Sequence, residues 1–193
     1  MIDRRNVVAG LATATLATPV LAAQAGFKQM FDGKTLEGWS PIGEANWTVT
    51  DGAIYADKGA GGFLMSKDSY RDFDLRAELW VSDDANSGIF IRCTNRAEIK
   101  GNNAYEVNIY DRRPDPSYGT GAIVNVAKVS PMPKAGGRWS VMEIIARGDT
   151  FTVIFNGQKT VDGARDATNR EGVIGLQYGS GIVKFRKVEI RSI

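Results

Sequence analysis

The chain of 193 residues contains no histidine. That removes Ser-His-Asp and Cys-His catalysis and every histidine-ligated metal site. It contains one cysteine, Cys93, so no disulfide can form within the chain. Charge of one sign is also missing in excess: the formal net charge is only +2. No basic stripe with interleaved aromatics runs through the sequence, so no nucleic-acid partner is expected. No stretch sustains helical periodicity. Prolines number 6 against 22 glycines, a balance that suits tight turns between strands better than disorder. With no repeat and no linker, one domain is expected.

The first residues read as an address label. Arg4-Arg5 precede an apolar, alanine-rich run over residues 7–23. The run is too short and too rich in small residues for a comfortable membrane span. Ala23-Gln24-Ala25 fits a small-x-small cleavage site before Gly26, with Val20-Leu21-Ala22 as an alternative. Residues 1–25 are therefore expected to be a signal peptide. Paired arginines followed by Asn6-Val7-Val8 partly match a twin-arginine signal; a general secretory signal is the other reading. The mature protein, residues 26–193, would be exported to the periplasm or cell exterior of a bacterium, without a membrane span.

The rest is written in strand code. Residues 72–81 alternate, with Phe73, Leu75, Ala77, Leu79 and Val81 on one face and Asp74, Arg76 and Glu78 on the other. Residues 47–50 and 53–56 flank Asp51-Gly52, a hairpin signal. Residues 88–94 form another expected strand, with Ile89, Ile91 and Cys93 pointing one way and Phe90 and Arg92 the other. On that parity Cys93 is a small buried hydrophobe. Further strands are expected at 121–129, 139–146, 151–155, 172–178 and 182–193. The last changes parity between Phe185 and Val188, which calls for a bulge near Arg186-Lys187. Many short strands joined by glycine and Asp/Asn turns give an all-β sandwich or barrel.

The stretch with most chemical content is Tyr105-Glu106-Val107-Asn108-Ile109-Tyr110-Asp111. Alternation puts Tyr105, Val107 and Ile109 toward a core. Glu106, Asn108 and Tyr110 then share the other face, about 7 Å apart at two-residue spacing. A carboxylate, an amide and a phenol in one row suit a polar binding surface or a solvated outer face equally well. Gly59 to Gly62 lacks the lysine of a phosphate loop and reads as a turn. Arg147-Gly148-Asp149 likewise reads as a turn. Asp83, Asp84 and Asn86 carry oxygens suited to calcium but lack the spacing of a calcium loop, so no cofactor is assigned, with a divalent cation such as calcium left open.

Several of these stretches together resemble a known family. Phe31-Asp32-Gly33-Lys34-Thr35-Leu36-Glu37-Gly38-Trp39 is similar to the opening of the 3-keto-disaccharide hydrolases. Tyr70-Arg71-Asp72-Phe73-Asp74-Leu75, Asn86-Ser87-Gly88-Ile89-Phe90-Ile91-Arg92, the Tyr105–Asp111 stretch, and Gly175-Leu176-Gln177 with Val183-Lys184-Phe185-Arg186 follow in the same order. The resemblance implies a concanavalin A-like jelly-roll sandwich of two antiparallel sheets. It also implies a carbohydrate site on one sheet face and hydrolysis of glycosides oxidised at the sugar 3-position. The chain departs from the family in carrying Asn108 where glutamine is common, and Tyr178-Gly179 where Asp-His often follows Leu-Gln.

Along one regular strand, Glu106 and Asp111 do not supply an ordinary glycosidase pair, although a bulge could bring them together. Such carboxyls stand about 5–10 Å apart, whereas five strand residues separate these two by about 16 Å on opposite faces. A 3-keto sugar needs less, because its ketone acidifies the neighbouring C2–H and one base can start an elimination. On that basis Glu106 is the expected base and Arg92 the stabiliser of the enolate charge. Asn108, Gln177, Asp111 and Tyr110 are the expected substrate-binding residues. The alternative is a carbohydrate-binding, lectin-like module without turnover, in which Arg92 merely pairs with Glu106.

Overall fold

A computed structural model describes residues 26–193. The expected signal peptide lies outside the described residues. Thirteen strands follow one another: β1 (Lys28–Gln29), β2 (Trp39–Gly43), β3 (Thr48–Thr50), β4 (Ala53–Ala56), β5 (Gly62–Tyr70), β6 (Phe73–Val81), β7 (Asn86–Cys93), β8 (Tyr105–Ile109), β9 (Trp139–Arg147), β10 (Thr150–Phe155), β11 (Gln158–Arg165), β12 (Gly172–Ser180) and β13 (Val183–Ser192). They form an eight-stranded sheet in the order β11-β10-β9-β6-β13-β4-β3, with β1 on β13, and a five-stranded sheet in the order β2-β5-β12-β7-β8. Neighbouring strands within each sheet run antiparallel. The all-β sandwich expected from the sequence is the observed architecture.

Alternation explains how the two sheets close on each other. Phe73, Leu75, Ala77, Leu79 and Val81 of β6 are buried, as are Tyr105, Val107 and Ile109 of β8, and both sets join the main core. Turn chemistry fixes the register. Asp51 and Gly52 both have positive φ (51° and 72°), as do Asn156 and Gly157 (49° and 81°), the geometry that matches hairpin twist. The bulge expected in β13 is present: its register against β6 shifts between Arg186 and Glu189, and Lys187 has φ 47°.

Two local expectations are corrected. Residues 121–129 are not a strand. Asn125 takes a left-handed φ of 61°, and Val126 N and Ala127 N both donate to Ile123 O (3.0 and 2.8 Å), closing a turn. This segment still covers the edge of β8, because Asn108 N donates to Ala122 O and Val124 N to Glu106 O (3.0 and 2.9 Å). The second correction is in β7. Arg92 has φ 51°, and opposite it the β12 register slips between Val173–Cys93 and Gly175–Phe90. The extra residue inverts the parity. Arg92 therefore turns into the sandwich, while Cys93 joins Met65, Phe90, Ala104 and Val173 in a separate apolar cluster on the outer face.

Candidate active site

The outer face of the five-stranded sheet carries the site. Pairing registers align Ile42, Phe63, Gln177, Gly88 and Asn108 in one cross-strand row. Ser40, Met65, Gly175, Phe90 and Glu106 form the next row. Gly88 thus lies between Gln177 and Asn108, whose Cα atoms are about 10 Å apart at two strand spacings. A side chain there would be tight: a Cβ on Gly88 would meet Val107 O at 3.2 Å, Phe90 Cε2 at 3.3 Å and Gln177 Oε1 at 3.4 Å, so the neighbours would have to give by a few tenths of an ångström. Gly175, beside Phe90, is in turn overlain by Met65, whose sulfur would be 3.0 Å from a Cβ. The floor is backbone, and the walls are side chains.

Three polar groups on this face have capacity left over. Glu106 is half-buried, and its carboxylate accepts no hydrogen bond from the described residues. Burial raises its proton affinity above the ordinary carboxyl value, and the Arg113 charge opposes that only in part. Asn108 is fully buried and donates its amide to Tyr118 O at 2.7 Å. Its amide oxygen has no partner, and neither has the buried amide oxygen of Gln177. Buried polar atoms are rarely left unpaired without a reason. Half-buried Gln177 and the Glu106 carboxylate on the same face fit a ligand rich in hydroxyl groups, while Asn108 is closed off beneath the surface.

Arg113 is not among the expected site residues, and the structure places its charge close enough to act on Glu106. The turn in which Arg113 N donates to Tyr110 O (3.5 Å) folds the chain back at the end of β8. The half-buried guanidinium forms no hydrogen bond or ion pair with the described residues, while its charge acts on Glu106 and Asp115. Tyr110 lies just beyond β8 and is also half-buried. The signal that could have drawn attention to Arg113 is its position after the polar strand end, where a short turn returns the chain toward Glu106.

Two expected site residues have other duties. Arg92 is 0% exposed and does not meet Glu106. Its guanidinium donates to Arg71 O (2.6 and 2.9 Å), Gly148 O (2.7 Å), Asn169 O (3.3 Å) and Asp72 Oδ1 (3.1 Å), and stacks over Phe151. It clamps loops between the sheets and has no access to the outer face, because the bulge turned it inward. Asp111 is a loop anchor. Thr120 Oγ1 donates to Oδ1 at 2.6 Å, and Ala135 N and Gly136 N donate to Oδ2 at 3.0 Å each. Of the calcium-type oxygens, Asp84 accepts a hydrogen bond from Ser82 Oγ at 2.7 Å. Among the described residues no group of three or more Cys, Asp or Glu could hold a metal ion. Burial also pushes the Cys93 thiol up to about 12, which keeps it protonated and inert.

The sequence profile of the 3-keto-alpha-glucoside-1,2-lyase-like domain matches residues 26–191. The chain belongs to that family. A 3-keto-disaccharide hydrolase of Bacteroides thetaiotaomicron is 38% identical over 77 residues, covering 34% of this chain and 27% of that protein. The matched region is thus about a quarter of that relative's length. A candidate glycosyl hydrolase of Parabacteroides distasonis, known from a solved structure, superposes with a TM-score of 0.71 at 26% identity, covering 86% of this chain and 99% of the other. A family-66 carbohydrate-binding module of Bacillus subtilis gives a TM-score of 0.63 at 19% identity over 80% and 96% of the two chains. The last likeness concerns the fold alone. Within the 3-keto-alpha-glucoside-1,2-lyase-like domain, then, Glu106, Asn108 and Gln177 on one sheet face and Arg113 in the adjoining loop carry unspent polar capacity.

Proposed function

We propose that the protein cleaves 3-keto-glycosides by elimination followed by hydration, with Glu106 as general base. The observation that carries this reading is the half-buried Glu106 carboxylate, which accepts no hydrogen bond, has its proton affinity raised by burial, and shares a face with the unpaired acceptors of Asn108 and Gln177. A base serves best when its pKa is moved toward the working pH. The family description, which names a 1,2-lyase, agrees with elimination across C1 and C2.

In the proposed reaction Glu106 takes the proton from C2, and the electron pair moves onto the C3 oxygen. Arg113, whose donors are unspent, faces the resulting enolate charge. The pair returns to expel the C1 substituent, whose oxygen takes up a proton, leaving an unsaturated ketone. Water then adds at C1 while C2 regains its proton. The net change is hydrolysis, and no oxidant is required. Half-buried Gln177 meets sugar hydroxyls, fully buried Asn108 supports the floor beneath them, and Tyr110 lines the rim. A second carboxylate is not needed, which suits a site where the one charge acting on Glu106 is that of Arg113.

The test is a product assay on 3-keto-glucosides beside the parent glucosides. Release of the aglycone from the keto compounds alone supports the reading; binding of both without release would replace it with the second one. That second reading is a carbohydrate-binding module, favoured by the fold shared with the Bacillus subtilis module. Export with removal of residues 1–25 is part of the same proposal. Mass spectrometry of the secreted protein should find an N-terminus at Gly26, or at Ala23 if the alternative site is used, and retention of Met1 would refute it.

A further inference from the structure

The outer face holds an apolar feature that a sugar ring does not explain. Beside Gln177, a cavity of about 450 Å³ is lined by Ile42, Phe63, Ile99 and Gln177, with backbone at Gly61 and Gly62. Ile42, Phe63 and Ile99 pack against the outer cluster of Met65, Phe90, Cys93, Ala104 and Val173. Phe63 meets Phe90 edge to face at 4.9 Å. Such a cluster on the solvent side of a sheet is unusual, because that face is ordinarily polar. The cavity lies on the β5–β12 side of the face, about two to three strand spacings, or 10–14 Å, from the Glu106 strand. That separation places it beyond a sugar ring whose C2 is at Glu106.

We infer that this cavity binds the leaving group of the substrate, and that the leaving group is a flat aromatic aglycone in preference to a second sugar. The inference rests on the keto-glycoside reading above. A second sugar would bring hydroxyl groups around its rim, each needing a partner when desolvated. Apart from backbone at Gly43, Gly61, Gly62 and Gly179, the cavity offers one uncommitted polar side chain, Gln177. Glu98, also on its wall, is paired with Lys100 at 2.9 Å. Tyr178 also lines the cavity, but its side chain belongs to the buried main core. Phe63, held edge to face by Phe90, and the Ile42 and Ile99 side chains instead present the surface an aromatic ring buries well. The Gln177 amide oxygen then stands at the junction between sugar and aglycone. An aromatic alcohol also leaves more readily in the elimination step than a sugar alcohol does, so the cavity and the chemistry favour the same substrates.

The experiment compares three substrates, the 4-nitrophenyl, methyl and glucosyl 3-keto-glucosides, on the native protein and on the Ile99→Ala and Phe63→Ala variants. On the native protein the aryl compound should have a KM at least about tenfold below that of the methyl compound, the scale of one well-filled apolar contact region. The disaccharide should gain no such advantage. Both variants should reduce the aryl-to-methyl ratio of kcat/KM by about tenfold. An unchanged ratio in both folded variants, or preference for the disaccharide, would overturn the inference. If no keto compound is turned over, the hydrolase reading fails, and 4-nitrophenol alone decides the subsite. Saturable shifts of Phe63 and Ile99 side-chain NMR signals at millimolar 4-nitrophenol would support it, and their absence would refute it.

Discussion

Replacing Glu106 with glutamine should separate catalysis from stability in opposite directions. The substitution keeps shape but removes the base, so turnover should fall by about 10²–10⁴-fold, with KM changed much less. Stability should move the other way. Burial raises the Glu106 pKa, so the folded protein holds this proton more tightly than the unfolded chain. Stability therefore declines as pH rises from the ordinary glutamate value toward the raised value, and the full penalty applies above it. Each tenfold in proton affinity corresponds to about 1.4 kcal/mol, or about 3–6 °C in Tm for a domain of this size. Solvent reaching the half-buried carboxylate reduces that figure. Glu106→Gln should consequently melt above the native protein at pH 8 and level with it near pH 4. The native kcat/KM should also show a rising limb with pH through the Glu106 pKa, and this limb should vanish in the variant. A folded Glu106→Gln protein with native turnover would refute the mechanism. A variant that melts lower at pH 8 than at pH 4 relative to native would refute the burial argument.

Arg92→Met should cost about 3–5 kcal/mol, because it leaves Asp72 and three carbonyls without their buried partner; urea unfolding measures this, and the folded fraction should turn over normally. Asp111→Asn should loosen residues 134–137 by about 1–3 kcal/mol, seen as faster amide exchange at Ala135 and Gly136, while its effect on turnover stays well below that of Glu106→Gln. Cys93, with its thiol pushed up to about 12, should resist iodoacetamide at pH 8 in the folded protein and react once unfolded; fast native alkylation would contradict the burial.

What the sequence made legible was governed by period-two alternation. Residues 72–81 and 105–109 behave as read, and so does the β13 bulge, because Val183 and Phe185 against Val188 and Ile190 leave a visible parity break. The β7 bulge left no such trace. Ile89, Ile91 and Cys93 form an unbroken apolar alternation, and it takes the left-handed φ of Arg92 and the register slip against β12 to show that Cys93 has changed sides. The error in the site followed directly: a parity argument put Arg92 beside Glu106, and one inserted residue sent it into the core. Glu106, Asn108 and Gln177 were readable because each lies before or away from a bulge on its own strand. Arg113 was not, since alternation says nothing about where a loop returns. The cavity beside Gln177 was equally hidden, because its walls come from β2, β5, β12 and the loop at residues 97–99, and no local window spans them.

The backbone floor of the site has a consequence for how this chain can vary. A Cβ at Gly88 would crowd Val107 O at 3.2 Å as well as Phe90 and Gln177, and one at Gly175 would press on Met65. Neither position can accept a side chain without disturbing the two rows that hold the polar groups. On the rim the situation is reversed: a Cβ on Gly101 meets nothing within 4 Å, and its φ lies outside the left-handed region. Inherited change can therefore accumulate in the loop over residues 94–104 while β7 and β12 stay fixed. A lineage built on this sheet would diversify at its rim, trading one bound group for another without rebuilding the strands beneath.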